Sequence, residues 1–216
     1  MNIKQLLMVS AIAITLSAPA MAQTASTDTS ASTTTTVGTP TAGSETQRDV
    51  NQQNRIENGL QSGQLNTKEA AGLEHGETHI DNVEARDMKD GTLSAQDKAQ
   101  IQHLQNQESN RIYNQKHDAQ TGNPNSASSE RMQADVQRDA NQEQRIHNGV
   151  ANGTLTNHET GKLESGQARN DRLQARAGAN GHVGKWEQRR AQRAENGTSR
   201  GVWRKKHNLR NRRTTG

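Results

Sequence analysis

The chain has no cysteine and no phenylalanine, and only one tyrosine, two tryptophans and three prolines in 216 residues. Without cysteine there is no disulfide scaffold, no thiolate metal site and no cysteine nucleophile. Large aliphatic residues are also scarce. Hydrophobic residues make up 28% of the chain and the mean hydropathy is −1.12. From residue 23 onward there are 23 Leu, Ile, Val and Met in 194 residues, about one in eight. That supply is too thin to line a deep apolar pocket, which excludes a large enzyme built around one. It falls in the range where a chain without further organisation stays disordered. There is no G-x-S-x-G and no phosphate-binding glycine loop, so no catalytic residue and no cofactor is expected. Acidic residues do occur in pairs, but on helices expected to be solvated, where nothing would shift their pKa values.

What is present begins with the ends. Residues 1–22 read as a signal peptide: Lys4 is followed by the apolar stretch Leu6–Leu16 and by Ala20-Met21-Ala22, a small-x-small cleavage pattern. Eleven apolar-stretch residues fall short of a bilayer span, so no membrane span is expected. The expected location is the periplasm or the medium, with a mature start at Gln23. Residues 23–44 are a Thr/Ser/Ala tract that cannot offset the entropy of ordering, and a disordered leader is expected there. The far end is basic. Residues 185–216 hold eleven Lys and Arg against two acids, whereas residues 23–184 hold fifteen against twenty-one. An overall charge of +4 therefore conceals an acidic body and a cationic end.

The strongest organisational signal is a duplication at an offset of ninety. Gln47-Arg48-Asp49 recurs as Gln137-Arg138-Asp139, and Arg55-Ile56-x-Asn58-Gly59 as Arg145-Ile146-x-Asn148-Gly149. Leu73-Glu74 recurs as Leu163-Glu164 and Lys116-His117 as Lys206-His207. Each copy contains a glycine turn twice, SGQLN and DGTLS in the first and NGTLT and NGHVG in the second. Asn66, Ser94 and Thr156 follow as N-caps, with Glu69, Asp97 and Glu159 three residues on, as in a capping box. Gly184 and Glu187 are a weaker version. Between turns lie good helix formers with apolar residues at helical spacing, such as Leu73, Ile80 and Val83.

These patterns predict an all-α fold: two tandem copies of a three-helix hairpin unit with thin apolar seams. The helices are expected at 45–61, 67–89 and 95–117, then 131–151, 157–178 and 185–208. Domain limits follow as repeat 1 at 45–118, a Gly/Asn/Pro/Ser linker at 119–130, repeat 2 at 131–208 and a basic tail at 209–216. In the second copy Ile80 becomes Asn170, Met88 becomes Gly178, Ile101 becomes Ala191 and Leu104 becomes Ala194. Each change removes on the order of 1–3 kcal/mol of burial. The third helix of that copy is expected to fray or to need a partner.

The turns resemble EF-hand loops. With the turn glycine at loop position 6, an apolar residue falls at position 8 and an acid at position 12: Glu69, Asp97, Glu159 and Glu187. Calcium needs oxygen ligands at positions 1, 3 and 5 as well. Position 1 is Asn58, Arg86, Asn148 or Arg176, and position 3 is Leu60, Met88, Val150 or Gly178. A continuous helix from Glu69 to Arg86 would also hold two loops about 24 Å apart, too far to pair. The expectation is therefore structural turns, with the acid capping the next helix. The pattern QxxRIxxGxxxGxLTxxExxxLExG, with DGxLSxxD and a terminal KH, resembles a group of exported bacterial helical-repeat proteins with degenerate EF-hand-like GxLTxxE turns. The resemblance covers nearly all of the chain after the leader. It implies secretion and a helical repeat, and supplies no activity.

Two surface features point to binding. His75 and His79 lie one turn apart on a helix face and could chelate a metal, although Gly76 and Glu77 depart from the H-E-x-x-H pattern and the second copy has Ser165 and Arg169 instead. The basic segment carries Lys185, Arg189, Arg190, Arg193, Arg200, Arg204, Lys205, Lys206, Arg210, Arg212 and Arg213, with Trp186 and Trp203 among them. Polyanions attract such a segment by counterion release. The partner expected is an anionic envelope component or an extracellular polyanion. The bland alternative has the segment fold back on the acidic body, with Trp203 in the seam at the place of Tyr113. The functional expectation is an exported, non-catalytic helical protein that is stress-protective or binds polyanions. The alternative is a low-affinity divalent-cation binder using the turns and the His pair.

Overall fold

The computed structural model describes residues 42–208, which form six helices: α1 (Gly43–Ser62), α2 (Thr67–Asp87), α3 (Ala95–Lys116), α4 (Ala127–Ala151), α5 (Asn157–Gly178) and α6 (Lys185–Lys206). There is no strand among the described residues. The all-α class and the three helices per copy are those the periodicity predicts. The signal-peptide segment, the leader up to residue 41 and the tail at 209–216 lie outside the described residues.

Two boundaries differ from expectation. The expected leader runs to residue 44, but α1 already begins at Gly43, because Ala42 is fully buried in an apolar cluster and its carbonyl accepts from the Thr46 hydroxyl at 3.0 Å. The expected linker runs to residue 130, but Ser126 caps α4 by accepting from the Ser129 N–H at 3.1 Å, so α4 starts at Ala127 and takes in the last four linker residues. Of the two outcomes expected for the third helix of copy 2, to fray or to need a partner, fraying is not seen. Helix α6 runs unbroken to Lys206, anchored by Arg145, which donates to the Ser199 hydroxyl at 2.8 Å, and by Val202, which is fully buried.

Local chemistry sets the turns. Gly63, Gly91, Gly153 and Gly181 all have φ between 75° and 88°, the left-handed region that L side chains avoid. The next helix then starts on a capping box at Asn66, Ser94 and Thr156 and on its acid half alone at Gly184: the backbone N–H of these residues donates to Glu69, Asp97, Glu159 and Glu187 respectively. The turn residues Leu65, Leu93, Leu155 and Val183 are buried. The repeated Arg-Ile-x-Asn-Gly motif is a staple: Leu65 lies on Gly59 and Leu155 on Gly149, where a Cβ would collide with the leucine side chain. Arg55 and Arg145 reach across to Ser109 and Ser199, and Lys116 and Lys206 donate to the carbonyls of Arg55 and Arg145 at 3.3 and 3.1 Å.

The two copies interlock. Helix α2 packs along α5 and α1 along α4, both pairs antiparallel, while α3 covers α1 and α2, and α6 covers α4 and α5. Each of two apolar clusters takes residues from both copies. One holds Ile56, Leu60, Leu65, Leu73 and Ile112 with Met132, Val136 and Val183. The other holds Val83, Met88, Leu93 and Ile101 with Ile146, Val150, Leu155, Leu163 and Val202. The seams are thin, and each is completed by the other copy.

This pairing explains the smaller residues of copy 2. Gly178, which stands where copy 1 has Met88, lies so close to α2 that a Cβ there would sit 2.8 Å from the Ala71 Cβ and 2.9 Å from the Thr67 carbonyl oxygen. At the opposite end Met88 itself lies on Gly161, the counterpart of Ala71. Restoring the methionine of copy 1 by Gly178→Met is therefore expected to destabilise the chain by about 1–3 kcal/mol through overpacking. Denaturant titration checks this; a stabilised variant would mean that the copies do not share a core.

Candidate metal centre

On α2 the residues Glu74, Glu77, Asp81 and Glu84 follow at intervals of three, four and three, which places them on one helix face. Their counterparts on α5 are Glu164, Gln167, Asp171 and Gln174. Helix α1 adds Asp49, Gln52 and Gln53, and α4 adds Asp139, Gln142 and Glu143. All are buried. On each helix they occupy turns between residues of the two apolar clusters, so the middle of the bundle is a polar, acid-rich layer. Helices α3 and α6 close it with Gln105, Glu108 and Glu195.

The expectation that the acids sit on solvated helices is overturned here. A two-helix seam would leave one side of α2 in water, but α2 is packed by α1, α3, α4 and α5 at once. The signal was present in the sequence: these acids are in phase with Ala70, Ala71 and Met88, and copy 2 repeats the polar face position by position.

No lysine or arginine is buried among the described residues. Cations reach only the rim, where Arg138 pairs with Glu195 at 2.9 Å, Arg111 with Glu108 at 2.5 Å and Lys98 with Glu45 at 3.8 Å. Inside, amides do part of the work. Gln105 Nε2 donates to Asp49 Oδ1 at 2.7 Å and to Glu84 Oε1 at 3.2 Å. Asp139 accepts from Asn170 at 3.0 Å and from Gln174. Asp81 and Asp171, the same residue in the two copies, face each other across the layer, and burial together with neighbouring carboxylates pushes both upward. Burial pushes Asp49 up to about 7 and Glu74 and Glu143 up to about 8. Burial first, and neighbouring carboxylates after it, push Glu77, Asp81, Glu84, Glu164 and Asp171 well above the carboxylate range.

Some oxygens have no donor. Both carboxylate oxygens of Glu164, Oδ2 of Asp81 and Oε2 of Glu143 are buried and accept no hydrogen bond. Asp81, Glu143 and Glu164 each offer one oxygen to a cluster whose members all lie within 4.8 Å of one another. Three carboxylates converging without nitrogen or sulfur form a donor set for hard cations of the calcium, magnesium or manganese type.

The other sequence candidates fall elsewhere. His75 and His79 are exposed on α2, beside the groove where the Glu108 carboxylate nests on Gly76; a side chain at 76 would collide with it. The four turn acids are engaged as caps. Lys185, Arg189, Arg190, Arg193, Arg200 and Arg204 are exposed on α6, while Lys205 and Lys206 are half-buried, Lys206 being tied to the Arg145 carbonyl. Arg210, Arg212 and Arg213 lie outside the described residues. Trp203 does not enter the seam. Like Tyr113 it is more than half exposed, and each stacks on the histidine four residues on; Ile112 and Val202 fill the seam instead. Among the described residues no helix is long and apolar enough to cross a membrane. No protein-family model, curated protein or solved structure matches the chain.

The acid layer fixes a pH dependence. A carboxyl whose pKa is higher folded than unfolded contributes stability that is fully present below the unfolded value near 4 and lost as pH rises through the folded value. For Asp49, Glu74 and Glu143 that loss is spread up to pH 7–8. With a chelator present, the melting temperature is expected to fall on the order of 10 °C from pH 5 to pH 8.5. Circular-dichroism melts across this range check it; a profile that is flat or rises would refute it.

Proposed function

We propose that this protein is a cation-binding helical protein whose site is the buried carboxylate cluster Asp81, Glu143 and Glu164. The observation that carries the reading is Glu164, fully buried with both oxygens unpartnered and set among two further carboxylates. A buried ionised carboxylate without a counter-charge is strongly unfavourable, and a hard cation removes that cost for several at once. The ligands are thus interior acids rather than the turns or the His pair. We read the site as binding rather than catalytic, because its residues are at most 3% exposed and offer a polyatomic substrate no approach. Export belongs to the same reading and rests on the pattern of residues 1–22.

Calorimetric titration of the chain with calcium, manganese or terbium at pH 7.5 tests this. The expected result is binding with proton release, weakened at least about tenfold by Glu164→Gln, on the scale of losing one charged ligand. Glu69→Gln, Glu159→Gln and His75→Ala are expected to leave it unchanged. No binding of any of the three ions at millimolar concentration would end the proposal, and loss confined to the turn or histidine variants would move the site there.

A second reading, polyanion binding, is favoured by one observation. Arg189, Arg193, Arg200 and Arg204 are exposed at intervals of four, seven and four, a single stripe along α6, with Trp186 on the same face and Arg190 held 5.8 Å over its ring. Affinity for heparin or DNA should fall steeply with salt. Replacing the four arginines by glutamine should flatten the log–log slope by about three to four. An unchanged slope would rule this out.

A further inference from the structure

The duplication gives every residue of the first copy a counterpart ninety positions on, so the mirror of the cation cluster can be written down. Asp81, Glu143 and Glu164 correspond to Asp171, Gln53 and Glu74. Because α2 pairs antiparallel with α5, and α1 with α4, the mirror positions are supplied by the same kinds of helix with the copies exchanged: α5, α1 and α2. The two halves meet where Asp81 faces its counterpart Asp171. All three mirror residues are buried, at 1%, 3% and 0% exposure.

One ligand differs, and its contact is informative. Where the cluster has the carboxylate of Glu143, the mirror has the amide of Gln53. Its Nε2 donates to Glu74 Oε2 at 3.2 Å. The counterpart of that oxygen acceptor, Glu164, receives no donor on either oxygen. A side-chain N–H thus gives Glu74 the positive partial charge that Glu164 lacks, and the mirror loses one of three negative ligands.

Resting on the cation reading above, we infer that the duplicated bundle holds one competent site and one closed site. A single hard cation is bound at Asp81, Glu143 and Glu164, and Gln53 closes the pseudo-symmetric site by serving as a permanent internal donor. The residue at 53/143 therefore sets how many ions the chain takes.

Ion stoichiometry tests this, by native mass spectrometry and equilibrium dialysis with manganese on the full chain, with circular dichroism to check folding. The wild type is expected to hold one ion, Gln53→Glu two, and Glu143→Gln none at a manganese concentration that saturates the wild type. The double swap Gln53→Glu/Glu143→Gln keeps the number of acids and is expected to restore one ion, now in the mirror site. That swap decides the matter if the single Gln53→Glu chain does not fold. Two ions in the wild type, one in folded Gln53→Glu, or none in the folded swap would each overturn the inference. No ion in the wild type would overturn the cation reading with it, whereas one ion in both wild type and Gln53→Glu overturns only the inference.

Discussion

The structure depends on a layer of buried carboxylates with no buried lysine or arginine among the described residues to face them. An ionised carboxylate out of water is unfavourable by several kcal/mol, and close neighbours of the same sign add to this. Three remedies exist: keep the proton, accept from an amide, or bind a cation. The second is visible, and burial favours the first. Burial pushes Asp81 and Asp171 upward and so favours their protonated forms, Gln105 serves Asp49 and Glu84, and Asn170 and Gln174 serve Asp139. Glu164 has neither amide nor arginine, and that residue draws the functional reading toward the third remedy.

The same constraint accounts for the interlocked architecture. A three-helix unit standing alone would present Glu74, Glu77, Asp81 and Glu84 to water, with a seam too sparse to close. Bringing α5 onto α2 and α4 onto α1 buries those acids against their own counterparts and closes an apolar cluster at each end. The close helix approach needs small residues at Gly161 and Gly178, so the second copy's loss of Met88's equivalent is a steric requirement of the pair. Asn170 in place of Ile80 follows the same logic: it is fully buried and donates to Asp139.

How much of this was legible from residues depends on the range of the interaction. The turns and the helix limits they set were readable because Gly63, Gly91, Gly153, Gly181 and the capping boxes act within a few residues, whereas the starts of α1 and α4, which follow no such turn, were not. The cationic stripe on α6 was readable for the same reason. The acid layer was not, because a face of Glu and Asp at helical spacing looks solvated until a neighbouring helix is known to cover it. Tyr113 and Trp203 misled in the opposite sense: large aromatics suggest the seam, but each sits one residue out of phase with the buried Ile112 and Val202. The usable clue was joint. Glu74, Asp81, Glu164 and Asp171 recur at the same offset as the leucines and share the phase of buried alanines, which a purely solvated face has no reason to do.

The scarcity of aliphatic residues and the acid layer then become one fact. A chain with about one large aliphatic in eight cannot fill a six-helix interior with hydrocarbon, and here carboxyls and amides occupy the middle. Filling it that way makes folding and ligation the same equilibrium, because protons or a cation that bind only the folded chain stabilise it by mass action. At low pH the carboxyls keep their protons and the layer is neutral. As pH rises through 7–8 the protons leave, and the folded state comes to depend on whatever positive charge can replace them. On the cation reading proposed above, the core without ligand is weakest where its carboxylates are ionised, and an entering cation would restore that stability.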